Sequence, residues 1–249
     1  MSDKILIIGS IIFIILLANY IGIIYEHFNY NRKQLFFIVM KTIPERVSNI
    51  NTIINENNIT NYDIFSAVDG KKINRNLLFQ YKMINQNVKE KHRDGVIGCA
   101  LSHITLWKQN INKPYIVVLE DDIDLPKHFN VKLNNFINNI PNDYDICQIY
   151  NWSGDKSKEY QKSIKINKFV KKGYPQYGTV GYIISKKGMK KLLKKCVPIY
   201  SAIDVMISDN IKSGYLKSYV PVETLVLHKY KFNSSVCGNG LFCKPTKKN

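Results

Sequence analysis

Apolar positions along the chain change their period several times, and each change marks an element. Residues 35–41, LFFIVMK, form an apolar run of strand length ending at Lys41, as a strand buried on both faces reads. Directly afterwards Ile43, Val47, Ile50 and Ile54 recur at helical spacing, with Thr42 suited to the cap and Pro44 to the first turn. A second strand candidate, YDIFSAVDG, closes on the turn dipeptide Asp69-Gly70. Strand, helix and strand in that order predict a parallel pair joined by a crossover helix.

The theme returns downstream. Residues 71–94 are polar and basic and read as a helix with a loop. In GVIGCALSHITLWKQN, Ile97, Ala100, Leu101, Ile104 and Trp107 share one helical face. This segment leads into PYIVVLEDDIDLP, a strand that ends in acid. Residues 129–140 are amphipathic, and DICQIY is another strand. YGTVGYIISKKGMKKLLKKC passes from strand to helix near Lys186, SAIDVMISDNIK reads as a helix, and YVPVETLVLHKY as one strand. No repeat and no long linker interrupts residues 35–249. A content of 45% hydrophobic and 12% aromatic residues fills a single core of this size. The expected fold class is α/β, with a mostly parallel sheet flanked by helices.

Residues 5–24, ILIIGSIIFIILLANYIGII, carry no charge and at helical rise span about 30 Å of hydrocarbon. The run is long for a cleaved leader and lacks a small-residue cleavage pattern. Residues 1–34 therefore read as an N-terminal membrane anchor with a short linker, before a globular domain at 35–249. That places the chain in a membrane as a single-pass protein. Sequons at Asn58, Asn151 and Asn233 fit a lumenal domain.

The net charge of +17 raises nucleic acid as a partner, but the lysines are scattered and no recognition motif accompanies them. A composition rich in Lys, Ile and Asn accounts for the charge, and nucleic acid is not expected. The five cysteines show no zinc-ligand spacing. Cys99 and Cys147 read as small core residues, and Cys237 and Cys243 flank a Gly-rich loop where a bridge is feasible in an oxidising compartment.

The chemistry gathers where the central strand ends. Ligands of open α/β sheets collect beyond the carboxyl ends of the strands, which aligns Lys41, Asp69 and the cluster Glu120, Asp121, Asp122 along one edge. In an extended segment Glu120, Asp122 and Asp124 face one way and Asp121 the other. Such hard oxygen donors suit Mg²⁺ or Mn²⁺; the bland reading is a solvated turn. Asp204 lies in an otherwise apolar helical segment, a costly place for a carboxylate unless a cleft lies beside it.

The ordered set FIVMKTIPERVSNI, DIFSAVDGKKI, GVIGCALSHITLWK, YIVVLEDDIDL, GTVGYIISKKGMKKLL and IDVMIS resembles glycosyltransferase family 25, over residues 35–228. The resemblance implies a GT-A-like fold and a catalytic domain at 35–249. It also implies a UDP-sugar donor, UDP-galactose or UDP-glucose, with Mn²⁺ or Mg²⁺ as cofactor. Transfer would proceed with inversion to a hydroxyl of a glycan or collagen-like protein acceptor. By the same resemblance Glu120 and Asp122 hold the metal, with His228 as a further ligand. Asp121 is structural or holds the ribose. Lys41 and Arg46 lie where a phosphate binds, and Asp69 where uracil or ribose binds. Gly98, Ser102 and His103 match GCALSH, His103 bonding the donor or fixing the acidic strand. Gly178 and Gly181 let the chain approach the sugar. Asp204 is the base, with Asp209 as fallback. A catalytically silent, membrane-tethered carbohydrate-binding relative is the alternative.

Overall fold

Leu35–Val39 (β1) is buried at every position because strand alternation sends its residues into two cores. Leu35, Phe37 and Val39 join one cluster, and Phe36 and Ile38 the other. The computed structural model describes residues 34–151 and 157–229. The proposed span at 5–24, its linker, and Cys237 and Cys243 lie outside the described residues. Among the described residues no helix is long and apolar enough to cross a membrane.

After β1 come α1 (Pro44–Glu56) and β2 (Tyr62–Ser66), which pairs parallel to β1. Pro44 opens the helix as expected, but Ile43, not Thr42, occupies the cap, and it makes no side-chain cap bond. The polar stretch that follows holds a short 3₁₀ turn, Gly70–Lys72, then α2 (Arg75–Gln80) and α3 (Gln86–Lys91). Next are α4 (Asp94–Gln109), β3 (Tyr115–Glu120), β4 (Ile123–Asp124), α5 (Phe129–Ile137) and β5 (Ile146–Gln148). The chain continues through α6 (Lys158–Lys162), β6 (Val170–Lys172), β7 (Gly181–Ser185), α7 (Lys186–Lys195), α8 (Ile203–Lys212), β8 (Ser218–Pro221) and β9 (Leu227–His228).

Seven strands form the main sheet in the order β2-β1-β3-β7-β5-β8-β6. β2, β1, β3, β5 and β8 run one way, and β7 and β6 oppose them, so the sheet is mixed and mostly parallel. α1 and α5 cover one face; α3, α4, α7 and α8 cover the other. The segment YVPVETLVLHKY, expected as one strand, is two. β8 stays in the main sheet, whereas β9 leaves it and pairs antiparallel with β4, setting His228 opposite Ile123.

Candidate functional site

The strand β3 runs between the two cores and ends in carboxylates that the chain then sends in three directions. Asp121 turns inward, its side chain 5% exposed, against the equally buried guanidinium of Arg46. It also accepts the Met40 amide at 2.7 Å. Asn49 of α1 donates to the carbonyls of Asp121 and Ile123, both at 3.1 Å. The ends of β1 and β3 and the first turns of α1 are thus tied through one acid. Burial pushes the Asp121 carboxyl above its ordinary range, against the opposing pull of Arg46 and the Met40 amide. Arg46 is enclosed here, 3.7 Å from Asp122, and not on the helix surface.

Asp122 faces the returning C-terminal segment. The β4–β9 ribbon brings His228 Nε2 to 3.5 Å from its Oδ2, and the Lys229 amide donates to its carbonyl at 2.7 Å. Lys229 Nζ reaches Asn49 at 2.8 Å. Burial raises the Asp122 carboxyl, but the His228 hydrogen bond and the Arg46 charge outweigh it and hold the group below the usual range. Its Oδ1 is buried without a hydrogen-bond partner among the described residues. Asp124 takes no part: it is exposed and caps its own neighbour, Leu125 N, at 2.9 Å.

Glu120 points to the α4 side. Its Oε1 receives the Thr179 hydroxyl at 2.5 Å and lies 3.1 Å from His103 Nε2. Behind it runs a buried chain. Trp107 Nε1 donates to the Tyr182 hydroxyl at 2.8 Å, and that hydroxyl lies 2.8 Å from His103 Nδ1. An ionised carboxylate only accepts, so Nε2 donates to Glu120, Nδ1 takes the Tyr182 hydroxyl proton, and the Tyr182 oxygen accepts from Trp107. This leaves the imidazole proton on Nε2, directed at Glu120. His103 is therefore an orienting group for the strand-end carboxylate.

Asp204 sits in the first turn of α8, partly exposed. Its Oδ2 accepts the Gly178 amide at 3.1 Å and its Oδ1 the Val205 amide at 2.8 Å. A helix N-terminus favours negative charge there. Asp209, one turn on, is exposed. Burial pushes the Cys99 thiol well above its ordinary value, and the charges of Glu120, Asp204 and Asp122 push the same way.

The remaining expected residues make local contacts of their own. Ser102 accepts the Val68 amide at 2.8 Å and donates to the Gly98 carbonyl at 2.8 Å. A Cβ on Gly98 would stand 2.6 Å from the Val68 carbonyl oxygen, so this glycine lets α4 dock onto the segment carrying Asp69. Asp69 caps the 3₁₀ turn through Lys71 N at 3.1 Å, and Lys41 is exposed at the end of β1. Gly181 opens β7, where a Cβ would meet Val226 at 2.9 Å. Sequence reasoning assigned no site role to Asn49, Thr179 or Tyr182, and read Trp107 only as a core position and Cys99 as a small core residue, whereas Cys99 is partly exposed. It also passed over Gln176, which is 6% exposed with both side-chain polar atoms unpartnered among the described residues. Of these, only Cys99 carried a usable signal, its spacing of four from His103 on one helix face.

The sequence matches the model of glycosyltransferase family 25 (LPS biosynthesis protein) over residues 32–207, well over half of the chain. The chain belongs to glycosyltransferase family 25. It is 31% identical over 177 residues to human procollagen galactosyltransferase 2, covering 64% of this chain and 27% of that relative. It is 29% identical over 168 residues to a Drosophila melanogaster glycosyltransferase 25 family member, with the same 64% and 27% coverage. The family 25 chain thus spans about a quarter of the length of these relatives. Among solved structures, a fly β-galactosyltransferase 7 variant in complex with manganese, UDP-Gal and xylobiose aligns at a TM-score of 0.41 and 10% identity. That alignment covers 80% of this chain and 70% of the other, and a likeness so shallow carries no inference.

Proposed function

We propose that the protein is a membrane-anchored, metal-dependent glycosyltransferase of GT-A-like architecture. It transfers galactose or glucose from a UDP-sugar, with inversion, to a hydroxyl of a glycan or collagen-like protein. The observation that carries this reading is the acidic end of β3, where Asp122 stands 3.5 Å from His228 with one oxygen buried and unpartnered among the described residues, beyond the carboxyl ends of β1 and β3, where ligands of such sheets bind.

Asp122 and His228 fit a divalent cation. The Asp122 carboxyl is held in its charged form and keeps a buried oxygen without a partner among the described residues, while His228 stands alongside. A bound Mn²⁺ or Mg²⁺ would supply positive charge to the diphosphate of the donor and to the departing UDP. The chain's own residues do the rest. Asp121 and Arg46 hold the acidic turn in place, and the Trp107–Tyr182–His103 chain orients Glu120. Asp204, fixed by the Gly178 amide, takes the proton of the acceptor hydroxyl on the face opposite the leaving group.

The test is UDP release and thermal stabilisation of the full chain in detergent, across a panel of UDP-sugars with Mn²⁺. Selective, chelator-sensitive stabilisation by one UDP-hexose is expected. Asp122→Asn should remove the metal effect. Asp204→Asn should spare donor binding and lower transfer about 10²–10⁴-fold. A folded protein indifferent to every nucleotide sugar would put the silent carbohydrate-binding reading ahead.

A further inference from the structure

Cys99, His103 and Glu120 bring a thiol, an imidazole and a carboxylate within 4.8 Å of one another. Cys99 and His103 are four residues apart on α4, so the helix stacks both on one face, and Glu120 comes from the end of β3 on the opposing wall. We propose that this trio is a second cation site, one that takes a thiophilic divalent metal of the Zn²⁺ class. Glu120, expected to share one cation with Asp122 and His228, is turned to the α4 side toward His103 and Thr179, whereas Asp122 faces His228, so the trio forms a position of its own.

The donor set is the reason. Zn²⁺ binds Cys sulfur, His nitrogen and carboxylate oxygen together and accepts three protein ligands plus water in tetrahedral geometry. Mg²⁺ and Mn²⁺ prefer oxygen. His103 is almost wholly buried, whereas Glu120 is 21% exposed at its side chain and Cys99 is partly exposed, which leaves an entrance on their side. The ring is already held from behind by the Tyr182 hydroxyl at 2.8 Å, the kind of outer hydrogen bond that orients metal-bound histidines. Binding releases the Cys99 thiol proton to solvent and moves the imidazole proton from Nε2 to Nδ1; the Tyr182 O–H rotates away from the ring, and the second lone pair of its oxygen accepts from Nδ1 while the first keeps the Trp107 bond. Net, one proton leaves for each cation bound.

The test needs no substrate, so its outcome is independent of the transferase reading. The full chain in detergent is titrated with Co²⁺ as a spectroscopic stand-in, and the thiolate-to-cobalt charge-transfer band is followed with Zn²⁺ as competitor. One equivalent of band-forming Co²⁺ is expected, displaced by Zn²⁺. It should persist in a Cys237→Ser/Cys243→Ser variant and disappear in Cys99→Ser, with His103→Gln and Glu120→Gln weakening it. A band that survives Cys99→Ser, or a folded wild-type protein that forms none, overturns the proposal.

Discussion

Asp121 and Asp122 are neighbours in sequence with opposite electrostatic fates, and this makes the acidic turn testable residue by residue. Asp121 is buried against Arg46; replacing it by Asn removes the carboxylate that faces an enclosed guanidinium. The expected cost is about 3–5 kcal/mol of unfolding free energy, read from denaturant melts. Asp124→Asn, on an exposed side chain, should stay within about 0.5 kcal/mol. The pH dependence separates the pair further. Asp122 is held below the ordinary range, so its ionised form adds stability above the unfolded value near 3.9, lost as pH falls through the folded value. Asp121 is raised, so the native state holds its proton more tightly, and its contribution weakens as pH rises from the unfolded towards the folded value. Acid-limb melts of Asp122→Asn should lose a positive slope, and those of Asp121→Asn a negative one. The Tyr182 hydroxyl joins Trp107 to His103. Tyr182→Phe orphans a buried indole N–H and an imidazole nitrogen, at about 1–3 kcal/mol. The His103 proton should stay on Nε2, held by Glu120, while the Nδ1 nitrogen chemical shift moves as it loses its hydrogen-bond donor.

Elements with a local period were legible, and those made by distant pairing were not. β1, α1, α4 and β3 follow from apolar runs and helical faces in single windows of sequence, and Ile97, Ala100, Leu101, Ile104 and Trp107 are all buried as that face requires. The β4–β9 ribbon pairs two residues with two others more than a hundred positions away, which leaves no signature in either window. Without it, His228 stood as the end of an apolar run with nothing to say what it faced. Alternation also misled at the acidic turn. Glu120, Asp122 and Asp124 would share a face only if the strand continued, but β3 ends at Glu120 and the three side chains part. The GCALSH motif was visible, while its mechanical role needed the neighbouring backbone. A Cβ on Gly98 would stand 2.6 Å from the Val68 carbonyl and 2.7 Å from Gly70 N, both backbone atoms that have little freedom to yield. Gly98→Ala should therefore cost about 1–3 kcal/mol through overpacking and loosen the Asp69 turn in hydrogen exchange. Gly214→Ala meets nothing within 4 Å and is strained only by its φ of +75°, about 1–2 kcal/mol, and should leave that turn untouched.

At the scale of the whole chain the remaining question is where the domain is held. The uncharged run at residues 5–24 is long enough for about 30 Å of hydrocarbon, and the proposed function takes it as a membrane tether. An arginine at the centre of such a helix costs about 2.5–3.5 kcal/mol on insertion scales, so Ile14→Arg with Ile15→Arg removes about 5–7 kcal/mol from insertion. Neither residue belongs to the domain that begins at Leu35. The doubly substituted full chain should therefore leave the carbonate-resistant membrane pellet for the soluble fraction while its thermal stabilisation by UDP-sugar and Mn²⁺ stays that of the wild type. A single substitution should give an intermediate distribution, because the partition is exponential in the insertion free energy. If the double variant remained fully in the pellet, the apolar run would not be what holds the protein to the membrane. If it lost its response to UDP-sugar as well, the N-terminal segment would have to contribute to the folded domain itself, and tethering would be the wrong account of it.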